Sequence, residues 1–382
     1  METRLITINP WLYTKSGHNL IYIKSMEDAA KELGWSFKAL LPKKNAVDAL
    51  PNNWSKCIDC PTVRHWYETI EKKTYKRDRK VNRAKQRLRY YITLFMSLKK
   101  SFIKGKNILF LETFAITDIR LITNLLTFLP KKNLSLWLLY RYPSTFMQNE
   151  LELYKACHKE IKKKNIYLKL ITDSELLAKD LSSAFEEKVH VFPIPHVEDI
   201  KSDPNKKNDL IQCWWPGLAR EGKGQKIIQN FAKSCHSKNS LFHLLAAKNA
   251  NLTPSEKGPK VSILPKELSR EEYLDHFINS DLILLPYIDS CYEKSTSGIF
   301  VETIMAGKTP VVYPNTWMAY ELNRFSLQSL IIDWSEETLA EKLFEIYQDC
   351  SIQDKLRLMR KNYLNYHSMD SFTQEIKQLA FA

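Results

Sequence analysis

The sequence predicts an α/β protein built from two doubly wound domains with parallel sheets, followed by C-terminal helices. Three observations predict it. Strand-like and helix-like segments alternate almost throughout, the pattern that gives parallel sheets. That pattern restarts after PIPHVEDIKSDPNKKND, residues 193–209, a polar and proline-bearing stretch that reads as a domain boundary. The chain has 382 residues, 44% of them apolar, enough for two cores of ordinary size.

The elements follow in order. Leu5 to Ile8 reads as the first strand, and a loop holding Ser16, Gly17 and His18 follows it. The next helix puts Ile23, Met26, Ala30 and Leu33 on one face and stops at Gly34. Phe37 to Leu41 is a strand ended by Pro42, and Ile108 to Leu111 is a buried one whose following helix runs to Leu129. Leu134 to Tyr140, Ile166 to Ile171 and Val189 to Phe192 complete the first half. After the linker come strands at Leu210 to Trp214, Leu241 to Ala246, Val261 to Leu264, Leu282 to Leu285, Pro310 to Tyr313 and Leu330 to Ile332. Ser269 with Glu272 three residues on is a capping box, so a helix opens there. Residues 335–382 read as helical. The expected division is a domain over 1–198, a second over 199–360, and a C-terminal helix over 361–382 placed to pack back on the first. Ligands of open parallel sheets bind at the carboxyl ends of the strands, so two such domains facing each other make a cleft lined by loops.

Composition narrows the function. The N-terminus, METRLITINP, reads as a strand rather than a signal peptide, and no segment reaches the roughly 20 apolar residues of a membrane span. The expectation is a cytoplasmic enzyme, or one at the inner face of a membrane. Seven scattered cysteines read as reduced thiols. Cys57 and Cys60 make a lone CxxC beside His65, and no second pair completes a zinc site; no Asp-x-Asp metal motif stands in a suitable loop. The net charge of +14 favours an anionic partner. Much of it lies in residues 72–106, where Asp78 is the sole acid. The centre of that run, Tyr90 to Leu98, is aromatic and apolar, a composition that suits an anionic membrane surface. An ordinary helix with one solvated basic side is the plain alternative. Nucleic acid is the rival use of such charge, but no RNA- or DNA-binding pattern surrounds it.

Two constellations carry chemistry. Pro216-Gly217-Leu218-Ala219-Arg220-Glu221-Gly222-Lys223-Gly224 follows a buried strand and precedes a helix near Gln225. Its glycines permit a tight turn and close approach, while Arg220 and Lys223 set two cations at a helix N-terminus, a place for a diphosphate. A solvated basic turn is the bland reading. The second runs from Lys294 through Ser295, Thr296, Ser297 and Gly298 to Glu302, then to Val312, just after the strand that ends in Pro286 and Tyr287. Hydroxyls and amides at that helix start suit phosphate oxygens. Glu302, among apolar neighbours, needs hydrogen-bond donors, and ribose hydroxyls are suitable ones. A surface Glu in an ion pair is the alternative.

Together these loops resemble the nucleotide-sugar domain of GT-B glycosyltransferases, close to glycosyltransferase family 4. That family carries a G-x-x-R-x-x-K-G-like loop, here Gly217 to Gly224, and an E-A-x-A-x-G-x-P-V-V segment, here Glu302 to Val312. Ser280 to Tyr287 matches its strand ending in Pro-Tyr. The resemblance implies two Rossmann-like domains and a nucleoside diphosphate sugar, UDP- or GDP-linked, as co-substrate. By it Arg220 and Lys223 hold the diphosphate, Ser297 and Gly298 the phosphate oxygens, Glu302 the ribose, and the loop at Leu264 the base; Tyr287 and Thr296 line the same site. One departure stands out: the family's first glutamate, eight positions before Glu302, is Lys294 here, a third cation against the diphosphate.

The first half matches more weakly. Ser16-Gly17-His18 is similar to the family's acceptor-side glycine loop, with Gly17 allowing close approach and His18 a candidate base or donor. Glu112 ends the ILFL strand at its carboxyl end and is a second catalytic candidate; Arg141 and Tyr142 close the next strand. Fixed cations would stabilise the departing diphosphate without a metal. The acceptor implied is a glycan or glycolipid of cell-envelope polysaccharide, including lipopolysaccharide, biosynthesis. A non-enzymatic polyanion-binding protein and a nucleotide-sugar epimerase on the same fold are the alternatives.

Overall fold

The computed structural model describes residues 2–12, 18–45, 47, 50–60, 76–195, 209–266 and 268–381, with the side chains of all but 18 and 76–83. The chain forms two units: Met1–His196 with Met369–Ala382, and Val197–Ser368. The linker expected at 193–209 falls mostly outside the described residues.

The first unit holds a parallel seven-stranded sheet. Its strands are β1 (Thr3–Ile8), β2 (Ser36–Pro42), β3 (Trp54–Ile58), β4 (Lys106–Leu111), β5 (Leu134–Leu139), β6 (Tyr167–Thr172) and β7 (Val189–Val191), in the order β3-β2-β1-β4-β5-β6-β7. The strands are apolar almost throughout because helices cover both faces. Alternate residues feed two cores. Ile6, Ile8, Leu109, Leu111, Leu136 and Leu138 join one face; Leu5, Ile108, Phe110, Trp137 and Leu139 join the other. Onto the first face pack α2 (Lys76–Ser101), α3 (Ile116–Leu125), α4 (Leu151–Lys163) and α5 (Glu175–Phe185). Onto the second pack α1 (His18–Glu32) and a helix from the far end of the chain, Met369–Phe381. Phe372 of that helix meets Tyr22 edge-on at 5.7 Å and Phe192 at 5.9 Å. Helix α1 ends as its sequence dictates: Gly34 takes φ 68°, and Trp35 donates back to the Ala30 carbonyl at 2.8 Å.

The second unit holds a parallel five-stranded sheet. It comprises β8 (Ile211–Trp215), β9 (Phe242–Ala247), β10 (Lys260–Leu264), β11 (Leu282–Leu285) and β12 (Thr309–Val312), in the order β10-β9-β8-β11-β12. Its helices are α6 (Gln225–Lys233), α7 (Arg270–Asn279), α8 (Gly298–Met305), α9 (Trp317–Arg324), α10 (Leu339–Gln348) and α11 (Cys350–Tyr366). The last helix of the chain, Met369–Phe381, is α12. Trp214 anchors α7 through rings at 5.2 Å (Tyr273) and 5.0 Å (Phe277).

Two expectations need correction. Leu330 to Ile332 is no strand: a 3-10 turn over Gln328–Leu330 leaves a single bridge, Ile331 to Val312. The helix after β4 stops at Leu125 rather than Leu129. The run 335–382 is three helices, one of them restarted where the Asp349 side chain caps the Ser351 amide. Cys57 and Cys60 pack against the first core, with thiols that burial pushes upward. Among the described residues no helix is long and apolar enough to cross a membrane, and no three metal-ligating side chains cluster.

Candidate active site

In each sheet the strand order reverses at one point, between β1 and β4 in the first unit and between β8 and β11 in the second. The carboxyl ends flanking such a point are where open α/β sheets bind ligands. Both sequence constellations start there in the second unit.

The turn after β8 is held from several sides. The Trp215 indole donates to the Lys223 carbonyl at 3.2 Å. Asn249, just past β9, donates to the Ala219 carbonyl at 3.1 Å and accepts from the Ala219 amide at 3.4 Å. The segment leaving β11 binds the same turn, since the Ile288 and Asp289 amides both donate to the Gly222 carbonyl, at 3.0 and 3.1 Å. This closeness explains Gly224. Its φ is 79°, and a Cβ there would lie 2.2 Å from the Pro286 carbonyl oxygen. Gly217, with φ 83°, likewise leaves room: a Cβ would stand 3.3 Å from Cδ1 of Ile299 and 3.6 Å from Nζ of Lys223. The first turn of α8 therefore touches the glycine turn.

Lys223 is 9% exposed. Its ammonium lies 4.9 Å from the centre of the Tyr287 ring, which packs in turn on Tyr292 at 4.5 Å. Among the described residues it pairs with no carboxylate. Burial pulls its pKa below the usual lysine range, Tyr292 opposes this, and the neighbouring charge of Arg220 adds to it. Arg220 is exposed, and its charge is felt at Tyr287, Cys291 and Tyr292 as well. Tyr287 is fully buried, its hydroxyl lacks a complete hydrogen bond, and the Ser297 side chain is a polar neighbour. Burial raises its pKa.

Ser297 caps α8 by accepting from the Phe300 amide at 3.3 Å. The remaining first-turn amides of a helix have no acceptor within it. One turn on, Glu302 is buried, and the protein supplies its donors: Nη1 of Arg270 at 3.1 Å and the Tyr273 hydroxyl at 2.7 Å. The burial of this carboxylate therefore does not call for ribose hydroxyls. Gly298 opens α8, while Lys294 and Thr296 are half-buried just before it. Leu264 ends β10, the edge strand two places from β8, on the same carboxyl-end side of the sheet.

The reversal in the first unit holds a second polar cluster. Glu112, 1% exposed, follows β4 and accepts from Nη2 of Arg141 at 3.0 Å. Burial raises its pKa to about 7, against the pull of Arg141 and with a push from Asp173. The Arg141 guanidinium lies 5.2 Å from the centre of the Tyr22 ring. Oε2 of Glu112, the Tyr22 hydroxyl and both amide atoms of Asn9 are buried without hydrogen-bond partners among the described residues. His18 opens α1, its side chain is outside the described residues, and so is Gly17. The sequence reading missed Asn9, Tyr22, Arg270, Tyr273 and Asn249; their positions after strands or on facing helices were the available signal.

No family model matches the chain, and no curated protein matches it. Solved structures do. The N-terminal domain of Candida albicans trehalose-6-phosphate phosphatase superposes with TM-score 0.70 at 10% identity, over 99% of this chain and 96% of that one. Sucrose-phosphate synthase from Thermosynechococcus elongatus gives 0.69 at 12%, over 98% of each chain. A trehalose-6-phosphate structure from E. coli bound with UDP-2-fluoro glucose gives 0.68 at 11%, over 99% and 98%. Two parallel α/β units, helical at the C-terminus and similar to these structures along nearly the whole chain, are the GT-B fold.

Proposed function

We propose that the protein is a glycosyltransferase that takes a sugar from a nucleoside diphosphate carrier and passes it to a glycan or glycolipid acceptor. The observation that carries the reading is Lys223, a buried ammonium without a carboxylate partner among the described residues, set where the glycine turn meets the start of α8. A buried cation is costly unless an anion completes it. A diphosphate does so, with Arg220 and Lys223 on its oxygens and Ser297, Gly298 and the first-turn amides of α8 beside them. Lys294 adds charge. Glu302, already oriented by Arg270 and Tyr273, takes the ribose, and Tyr287, Thr296 and the Leu264 loop line the rest. A similar structure bound with UDP-2-fluoro glucose favours UDP over GDP.

Cleavage of the sugar–phosphate bond develops negative charge on the departing diphosphate. The two cations and the amides stabilise it without a metal ion. The first unit supplies the acceptor side, with His18 and Glu112 as candidates to take the acceptor proton; a carboxyl titrating near neutrality suits that task. The setting is cell-envelope polysaccharide synthesis in the cytoplasm.

A screen of UDP- and GDP-sugars tests the reading. Slow nucleotide release, accelerated by an acceptor glycan and lost in Arg220→Ala, is expected. Conversion of the nucleotide-sugar to its epimer without an acceptor, or no turnover of any nucleotide-sugar, would overturn it.

A further inference from the structure

Helix α2 has two apolar faces. Tyr90, Leu94 and Leu98 are buried and fasten it to the first core. Leu88, Ile92 and Met96 repeat at the same spacing but lie two residues out of phase, about 200° around the helix. They are 57%, 46% and 52% exposed. A surface helix needs one apolar stripe to hold its place; among the described residues the second stripe is not part of the unit's apolar core. Leu88 also lines a groove of about 600 Å³ between α2 and α3, with Trp11, Tyr90, Tyr91, Ile116 and Leu121. Arg87 and Arg120 line the same groove from opposite helices, and both are exposed.

Among the described residues, the exposed charges along α2 are basic. Lys85, Arg89, Lys99 and Lys100 are exposed along α2. Asp118, in the groove, is buried and accepts from Trp11 at 3.0 Å and Tyr90 at 3.1 Å, which leaves Glu150 as the groove's other acid. A basic helix with an outward apolar stripe matches an anionic lipid interface, where the apolar residues enter the acyl boundary and the cations meet phosphates. Nucleic acid uses the cations but gives Leu88, Ile92 and Met96 no role.

We propose that this face docks on an anionic phospholipid bilayer, with Leu88, Ile92 and Met96 inserted and one phospholipid in the groove, its phosphate met by Arg87 and Arg120. Helix α2 belongs to the first unit and the diphosphate site to the second, so either can fail without the other.

Flotation with vesicles tests it. The full chain is expected to float with phosphatidylcholine vesicles containing phosphatidylglycerol and not with phosphatidylcholine alone. Ile92→Glu and Met96→Glu, at exposed positions, and Arg87→Glu in the groove should each lower the bound fraction about tenfold, with far-UV circular dichroism unchanged. Phosphatidylglycerol with brominated chains should quench the wild-type tryptophan fluorescence more than that of Trp11→Phe. Absence of flotation, equal flotation with neutral vesicles, quenching unaltered in Trp11→Phe, or flotation untouched by Ile92→Glu would overturn the proposal. Salt-sensitive binding to single-stranded RNA that survives Ile92→Glu and displaces vesicles would overturn it too.

Discussion

The ammonium of Lys223 lies 4.9 Å from the centre of the Tyr287 ring, and this contact ties the turn after β8 to the segment after β11. A ring face attracts a cation but leaves its hydrogen-bonding protons without acceptors. The site is thus folded around a charge that the ring alone does not satisfy.

Replacing that charge should separate stability from binding. Lys223→Met keeps the contact with Tyr287 and removes the buried ammonium. The free variant should melt no lower than the wild type, while transition-state stabilisation falls by about 2–4 kcal/mol. The pH dependence has a definite sign. Because burial lowers the Lys223 pKa, nucleotide affinity should decline as pH rises through that lowered value, before an ordinary lysine would lose its proton. Calorimetry over a pH series checks this.

Gly224→Ala should damage the fold of the turn itself. Left-handed backbone costs an L-residue about 1–2 kcal/mol, and the new Cβ would press on the Pro286 carbonyl oxygen at 2.2 Å. Thermal unfolding should show a loss above that backbone cost.

Glu302→Ala removes one acceptor from Arg270 and one from Tyr273. The expected loss is about 1–3 kcal/mol. Glu302→Gln keeps an acceptor in place and should melt closer to the wild type, yet bind nucleotide more weakly. Equal melting of the two variants would argue against the network.

Glu112 should leave a mark on stability as a function of pH. Its folded pKa, about 7, lies above the unfolded carboxylate value, so the folded state holds the extra proton. The contribution is present at acid pH and is lost as pH rises from about 4.3 to 7. Denaturant melts of Glu112→Gln should lack that part of the slope.

Much of the fold was legible because buried parallel strands are continuous apolar runs, as in ILFL and LILL, and because local devices mark helix ends. Ser269 and Glu272 form their capping box as expected, with Ser269 accepting at 3.2 Å. Long-range partners were not legible. Glu302 reads as a lone carboxylate until folding brings Arg270 and Tyr273 from 32 and 29 residues away. Leu330 to Ile332 has strand composition, but a 3-10 turn spends its first residue, leaving one bridge at the sheet edge. The glycines of 217–224 were visible, whereas the carbonyl that makes Gly224 obligatory belongs to Pro286, 62 positions on.

The most direct test is a calorimetric titration of the protein with UDP and with GDP, repeated on Lys223→Met and Arg220→Ala. One diphosphate should bind the wild type at a single site, with affinity lost in both variants. Failure of both nucleotides to bind the wild type, or binding unchanged in both variants, would contradict a diphosphate site around Lys223.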